Sequence, residues 1–246
     1  MKLIEFNSVG KEYAKGFFAL ENLSFEVEDS NFVSIVGPFG CGKTTILNLL
    51  SGVTKNYFGT ITIGGKNPEK AKEDHRIGYV FQKPTLLPWR NVIKNITLPQ
   101  ELNGIKNQDR AYDLLRLVGL GELAFKMPCD LSGGMKQLVS IARSLILEPD
   151  VLLLDEPFSS IDEINRTKIH LKLLEIHKKT KGTTILVTHS LAEAVFLSDQ
   201  IIVLTPRPAK VKKVIDVNLS HRGEEIIFSE EFLEYKKAVN AELIND

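Results

Sequence analysis

Cysteine is scarce: of 246 residues, only Cys41 and Cys129 carry a thiol. Two cysteines cannot build a disulfide framework, and reduced thiols fit a cytosolic protein. Net charge is absent as well, with 31 Lys and Arg against 31 Asp and Glu. That balance argues against a nucleic-acid partner, whose phosphates call for a basic face. No apolar run reaches the roughly 18 uncharged residues a membrane-crossing helix needs. The opening Met1-Lys2-Leu3-Ile4-Glu5-Phe6 has an acid at position 5 and no apolar stretch behind it, unlike a signal peptide. Internal repeats and low-complexity segments are missing too. What remains is the composition of an ordinary globular chain, 43% hydrophobic and 25% charged. Any association with a membrane would come through a partner.

Short branched apolar runs at 32–36, 77–81, 151–154, 184–187 and 201–204 read as strands. Val151-Leu152-Leu153-Leu154 lacks polar alternation, as in a strand buried on both faces of a partly parallel sheet. Helical spacing appears at Leu138, Ile141, Ala142 and Leu145, and longer helices are predicted over 163–179 and 230–243. Strands alternating with helices imply an α/β layer fold. Residues 3–9 and 23–28 alternate like half-exposed strands, and 59–65 reads as strand into turn. They predict an N-terminal antiparallel β subdomain beside a mixed, largely parallel core sheet. Polar helical sequence over about 84–150 predicts an inserted helical subdomain. The main domain is expected over 1–205, followed by a short, charged C-terminal extension over 206–246.

Gly37-Pro38-Phe39-Gly40-Cys41-Gly42-Lys43-Thr44 fits the phosphate-loop pattern G-x-x-x-x-G-K-[ST], and Thr45 follows. It succeeds a predicted strand and opens a predicted helix over 44–50, the context the motif requires. Glycines let successive backbone N–H groups curl around phosphate oxygens, and the helix N-terminus adds positive dipole. Lys43 supplies a cation to the β- and γ-phosphates, and the Thr44 hydroxyl is a Mg²⁺ ligand. These features predict a nucleotide site of the P-loop NTPase kind that also holds Mg²⁺. Cys41, inside the loop, is expected to react with alkylating agents unless ATP covers it. The strand at 151–154 ends in Asp155-Glu156-Pro157. Asp155 is expected to reach Mg²⁺ through its water shell, and Glu156 to polarise the attacking water.

Leu131-Ser132-Gly133-Gly134-Met135-Lys136-Gln137 precedes that strand and resembles the signature motif of ATP-binding cassette (ABC) proteins. The resemblance implies that Ser132, Gly133 and Gly134 of one copy cap the ATP held by the phosphate loop of another. Further elements follow in the family's order over roughly residues 1–205. Gln82 resembles the glutamine that senses Mg²⁺ or water between core and helical subdomain. Ser159-Ser160-Ile161-Asp162 resembles the loop crossing the dimer interface, with Asp162 near the nucleotide and also placed to cap a helix. Tyr13 stands where the family stacks an aromatic on adenine, with Phe17 and Phe18 as neighbouring alternatives. His189 resembles the switch histidine that contacts the γ-phosphate. Glu156, His189, Gln82 and Lys43 are thus the expected catalytic residues, and Thr44, Gln82 and Asp155 the metal ligands.

Some positions depart from the pattern. Phe39 stands where Ser or Asn is common, and Ser160 and Ile161 replace Ala and Leu. Glu28-Asp29-Ser30-Asn31 replaces a Pro-Gly turn, and Asn31 is expected to accept the left-handed backbone. Leu86-Leu87-Pro88-Trp89-Arg90-Asn91-Val92-Ile93-Lys94-Asn95-Ile96 resembles ATPases of importers for nitrate, sulfonate, taurine and thiamine-pyrimidine precursors. Arg207-Pro208-Ala209-Lys210 is similar to that group too. Residues 206–246 leave no room for the regulatory barrel of some sugar-importer ATPases. Trp89 is either a core ring of the helical subdomain or part of a groove for a permease helix. The implied partners are a second copy arranged head to tail, an integral-membrane permease and, indirectly, an extracytoplasmic substrate-binding protein. The implied place is the cytoplasmic face of the membrane. A nucleic-acid or ribosome-acting cassette would usually carry paired cassettes, a coiled-coil insertion or strong basic patches, and a GTP switch an Asn-Lys-x-Asp segment; this chain shows one cassette, no such insertion and no such segment.

Overall fold

The computed structural model describes residues 1–159 and 161–244; Ser160 lies outside the described residues. In chain order the strands are β1 (Lys2–Ala14), β2 (Phe17–Glu28), β3 (Phe32–Val36), β4 (Phe58–Ile63), β5 (Ile77–Val80), β6 (Val151–Asp155), β7 (Thr183–Val187), β8 (Gln200–Leu204) and β9 (Val211–Asp216). The helices are α1 (Lys43–Leu50), α2 (Pro68–Glu73), α3 (Val92–Ile96), α4 (Leu98–Leu102), α5 (Gln108–Leu117), α6 (Gly133–Leu145), α7 (Glu163–Thr180), α8 (Leu191–Leu197) and α9 (Glu230–Ile244). The chain divides into two compact units, Met1–Asp74 with Gly182–Asp246, and His75–Lys181.

In the first unit β1 pairs antiparallel with β2 on one side and β4 on the other. Phe6 and Phe25 stack across β1 and β2 with ring centroids 4.4 Å apart. Both strands run past the predicted alternating segments to a tight turn at Lys15-Gly16, where Gly16 takes φ 81°. A parallel group forms around β3, which lies between β7 and β8. All residues of β3 and β7 are buried, Ser34, Thr183 and Thr184 among them, so neither strand shows a solvent-facing alternation. At the turn before β3 the left-handed residue is Ser30, φ 62°, not Asn31. Ser30 N–H donates to Thr183 Oγ1 at 2.9 Å, and the Asn31 carbonyl accepts from Thr184 N–H at 3.0 Å. The β7 partner therefore takes Asn31 into extended pairing and moves the positive φ one residue back.

The C-terminal stretch belongs to this unit. β9 pairs antiparallel with β8, and α9 packs on α8 and β8 with Phe232 and Val239 buried. β9 carries Lys212, Lys213 and Asp216, a polar pattern suited to an edge strand but a poor strand signal in sequence.

In the second unit β5 and β6 pair in parallel, Ile77 opposite Val151 through Val80 opposite Leu154. α6 packs on α3, α5, α7 and β5 through a buried face that includes Leu138, Ile141, Ala142 and Leu145. Among the described residues no helix is long and apolar enough to cross a membrane.

Candidate nucleotide site

The first unit holds the loop expected to cradle phosphate. β3 delivers the chain to Gly37, and α1 departs from Gly42, whose φ is 123°. A Cβ on Gly42 would lie 3.1 Å from the Ala19 carbonyl oxygen, and one on Gly37 would lie 2.9 Å from Cys41 Sγ. A side chain at Gly37 would therefore displace the Cys41 sulfur, and one at Gly42 would be tight against β2 and strained by its backbone. The first turn of α1 has no acidic residue and its N-cap has no side-chain cap, so its dipole favours an anion. Lys43 Nζ arches back over the loop, donating to Gly37 O at 2.8 Å and Pro38 O at 3.0 Å. Thr44, Phe39 and Gly40 are exposed, and Thr45 turns inward.

Cys41 corrects an expectation. Its side chain is only 1% exposed, and burial pushes the thiol above its ordinary pKa. Its N–H donates to Pro38 O at 3.3 Å. The residue closes the loop from inside and presents no reactive thiolate.

Tyr13 stands beside the cradle, its hydroxyl 3.3 Å from Thr45 Oγ1, with Lys11 Nζ 5.0 Å from its ring centroid. Of the alternatives, Phe17 carries the Arg207 guanidinium over its ring. His189 follows β7 on an exposed turn whose flanks are tightly bonded. Thr188 Oγ1 donates to Glu193 Oε2 at 2.6 Å and accepts from Ser190 N–H at 3.0 Å, while Ser190 caps α8.

The second unit gathers the carboxylates. Tyr79 Oη donates to Asp155 Oδ2 at 3.1 Å. Burial, and then the Asp155 charge, push the Tyr79 hydroxyl far above its ordinary pKa, so it remains a donor. Glu156 takes φ 45°, an uncommon backbone for a residue with a side chain. Gln82 Nε2 donates at 3.3 Å to Glu156 Oε2 and at 3.3 Å to Ser159 Oγ. The structure therefore brings Gln82 and Glu156 together across 74 residues of sequence.

Ser132 caps α6, its Oγ accepting from Met135 N–H at 3.3 Å. Gly134 faces α7: a Cβ there would lie 2.5 Å from Ile169 Cδ1. Gly133 is exposed beside it. Asp162 precedes α7 and its carbonyl accepts from Arg166 N–H at 3.1 Å. Trp89 is 72% exposed, which settles the choice left open for it against a core ring. Buried Asn95 holds its loop, bonding Leu87 N–H at 2.7 Å and Arg90 O at 2.8 Å.

Sequence reasoning missed two supporting side chains. Tyr79 looks like an ordinary strand aromatic, and its bond to Asp155 needs the β5–β6 pairing. Gln137, within the signature segment, is buried and donates to Phe81 O at 3.0 Å, tying α6 to the residue before Gln82.

Among the described residues no group of three or more His, Cys, Asp and Glu could hold a metal. The expected ligands Thr44, Gln82 and Asp155 are instead an alcohol, an amide and a carboxylate. Such hard oxygen donors fit Mg²⁺, which keeps several waters and binds few protein groups beside phosphates.

Residues 20–159 match the ABC transporter family. A taurine import ATP-binding protein of Rhizobium johnstonii is 40% identical over 238 residues, covering 93% of this chain and 90% of that protein. An aliphatic sulfonates import ATP-binding protein of Bacillus cereus is 38% identical over 220 residues, 89% of this chain and 86% of its own. Among solved structures, a dimeric ATP-binding cassette in a post-hydrolysis state with ADP and Pi superposes with TM-score 0.75 at 28% identity. It covers 88% of this chain and 100% of that one. CbiO1 of Clostridium perfringens, part of the ABC transporter complex CbiONQ, gives TM-score 0.81 at 25% identity, covering 98% of this chain and 95% of its own.

Proposed function

The chain belongs to the ABC transporter family, and from that premise we propose that it powers an importer by closing as a head-to-tail pair around two ATP molecules. It is an ATPase of that family. The observation that carries the importer reading is the 40% identity to a taurine import ATP-binding protein over about nine-tenths of both chains.

Each side chain then has a task. Lys43 and the loop N–H groups bind the β- and γ-phosphates, and Tyr13 stacks on the adenine. Thr44, Asp155 and Gln82 hold Mg²⁺, which when bound neutralises charge on the phosphate oxygens. Glu156 accepts a proton from the attacking water, and His189 contacts the γ-phosphate. Ser132, Gly133, Gly134 and Asp162 face the ATP of the second copy. The helical stretch 84–150, displaying Trp89, receives the permease, and an extracytoplasmic binding protein delivers the solute. The protein works at the cytoplasmic face of the membrane.

The Gln82–Glu156 contact supports assigning the base, because it sets that carboxylate beside a side chain expected to bind Mg²⁺ or water. Glu156→Gln keeps the shape and removes the base, so turnover should fall about 10²–10⁴-fold while ATP still binds. The variant should run as a monomer without nucleotide and as a dimer with ATP, read by size-exclusion chromatography with light scattering. A wild-type rate of phosphate release removes Glu156 as the base. Lost turnover without a dimer leaves the base in place and makes closure dependent on the permease.

A further inference from the structure

Phe17 begins β2 just after the turn that follows Tyr13, and the Arg207 guanidinium lies 4.0 Å from its ring centroid. That is a cation–π contact. Its partner comes from far along the chain but is firmly anchored. Ala209 is fully buried and pairs with β2, its N–H donating to Ala19 O at 2.9 Å and its carbonyl accepting from Glu21 N–H at 3.1 Å. Lys210 adds an ion pair with Glu21 at 2.9 Å, and its N–H donates to Thr205 Oγ1 at 3.0 Å. The turn that carries Arg207 is thus fastened at both ends.

The same stretch of β2 backs the phosphate loop, since the Ala19 carbonyl is what a Cβ on Gly42 would strike. Ala14 faces Phe17 in the β1–β2 register, and Gly16 N–H is tied to Glu12 Oε1 at 2.5 Å. A fixed Phe17 therefore fixes Ala14, and with it Tyr13 next along the chain.

We propose that Arg207 is a positioning residue for base recognition: by clamping Phe17 it holds the β1–β2 turn so that Tyr13 stands beside Thr45, ready to stack on adenine. The inference rests on the ATP-site reading and adds to it a role for the C-terminal turn. It also makes Phe17 a support for the stacking ring rather than the ring itself. Phosphate binding, made by the loop and Lys43, does not depend on the clamp.

The test compares equilibrium binding of ATP and of inorganic tripolyphosphate, which has phosphates but no base, to the full-length protein by titration calorimetry. Arg207→Ala and Phe17→Leu should each weaken ATP about two- to five-fold, the range of an exposed cation–π contact. Neither should change tripolyphosphate binding, and the double variant should be no weaker than either single one. Arg207→Lys, which keeps a cation, should recover most of the ATP affinity. Thermal unfolding checks that each variant folds; should Arg207→Ala fail, Phe17→Leu and Arg207→Lys still decide the matter. ATP affinity unchanged in the folded variants overturns the proposal. So does equal weakening of both ligands, which marks a general structural defect. Wild-type protein that binds neither ligand defeats the ATP-site reading itself. Wild type binding both, with Phe17→Leu binding alike, defeats only the clamp.

Discussion

Burial acts on Cys41 and His170 by one rule: it disfavours whichever form carries charge. At Cys41 it holds the thiol protonated inside the phosphate loop. Cys129 is exposed. A thiol reagent should therefore titrate one fast cysteine per native chain, at Cys129, with Cys41 reacting only on unfolding. Fast labelling of Cys129→Ser would contradict the burial of Cys41. At His170, on α7 with its ring 4.8 Å from Phe158, burial and then the Arg166 charge lower the pKa to about 4. The folded protein keeps the ring neutral, whereas the unfolded chain protonates it near pH 6.5. Between pH 6.5 and 4 the unfolded state binds more protons, so stability falls as pH drops and is fully retained above 6.5. This group's share is at most about 3 kcal/mol. Urea unfolding across pH 4 to 8 should show a shallower loss in His170→Leu than in wild type; parallel curves would remove His170 as a source.

At the level of elements, α6 joins two tasks at one end. Its N-terminus is capped by Ser132 and its body is packed through buried apolar residues. Loss of the cap in Ser132→Ala should cost about 1 kcal/mol, visible as a lowered unfolding midpoint. Ser132→Arg adds bulk and charge at the proposed surface for the second copy and leaves the phosphate loop of its own chain alone. ATP should bind Ser132→Arg as it binds wild type. In the Glu156→Gln background, however, Ser132→Arg should abolish the ATP-dependent dimer. A dimer that persists in light scattering would show that the start of α6 is not part of the interface.

For the molecule as a whole, residues 206–246 are expected from sequence to be an extension. β9, however, covers the β8 edge, and Ala209, Val217, Ile226, Phe232 and Val239 are buried. Removing 206–246 would bare a sheet edge and an apolar face on α8, a combination that invites aggregation. The truncated chain should be recovered mostly insoluble, or melt well below the full chain. A soluble truncation with an unchanged melting curve would return the tail to the status of an appendage.

The strand, loop and helix that carry the phosphate-loop motif were legible because they are local: strand, glycines, Lys43 and helix start are contiguous. The unbroken run at 151–154 was legible for a similar reason, since burial on both faces removes polar alternation. Local patterning also marked the body of α6, through the spacing of Leu138, Ile141, Ala142 and Leu145. Contacts between distant segments were not legible, because sequence carries no record of which strands pair. The Gln82–Glu156 bond, the Tyr79 hydroxyl on Asp155 and the Arg207 clamp on Phe17 all depend on such pairings. So does the exchange of Asn31 for Ser30 at the left-handed turn, decided by Thr183 from 153 residues away. Cys41 shows the same limit within the loop itself. Its position in the motif follows from sequence, but the direction of its side chain follows from packing, where Gly37 leaves room for the sulfur.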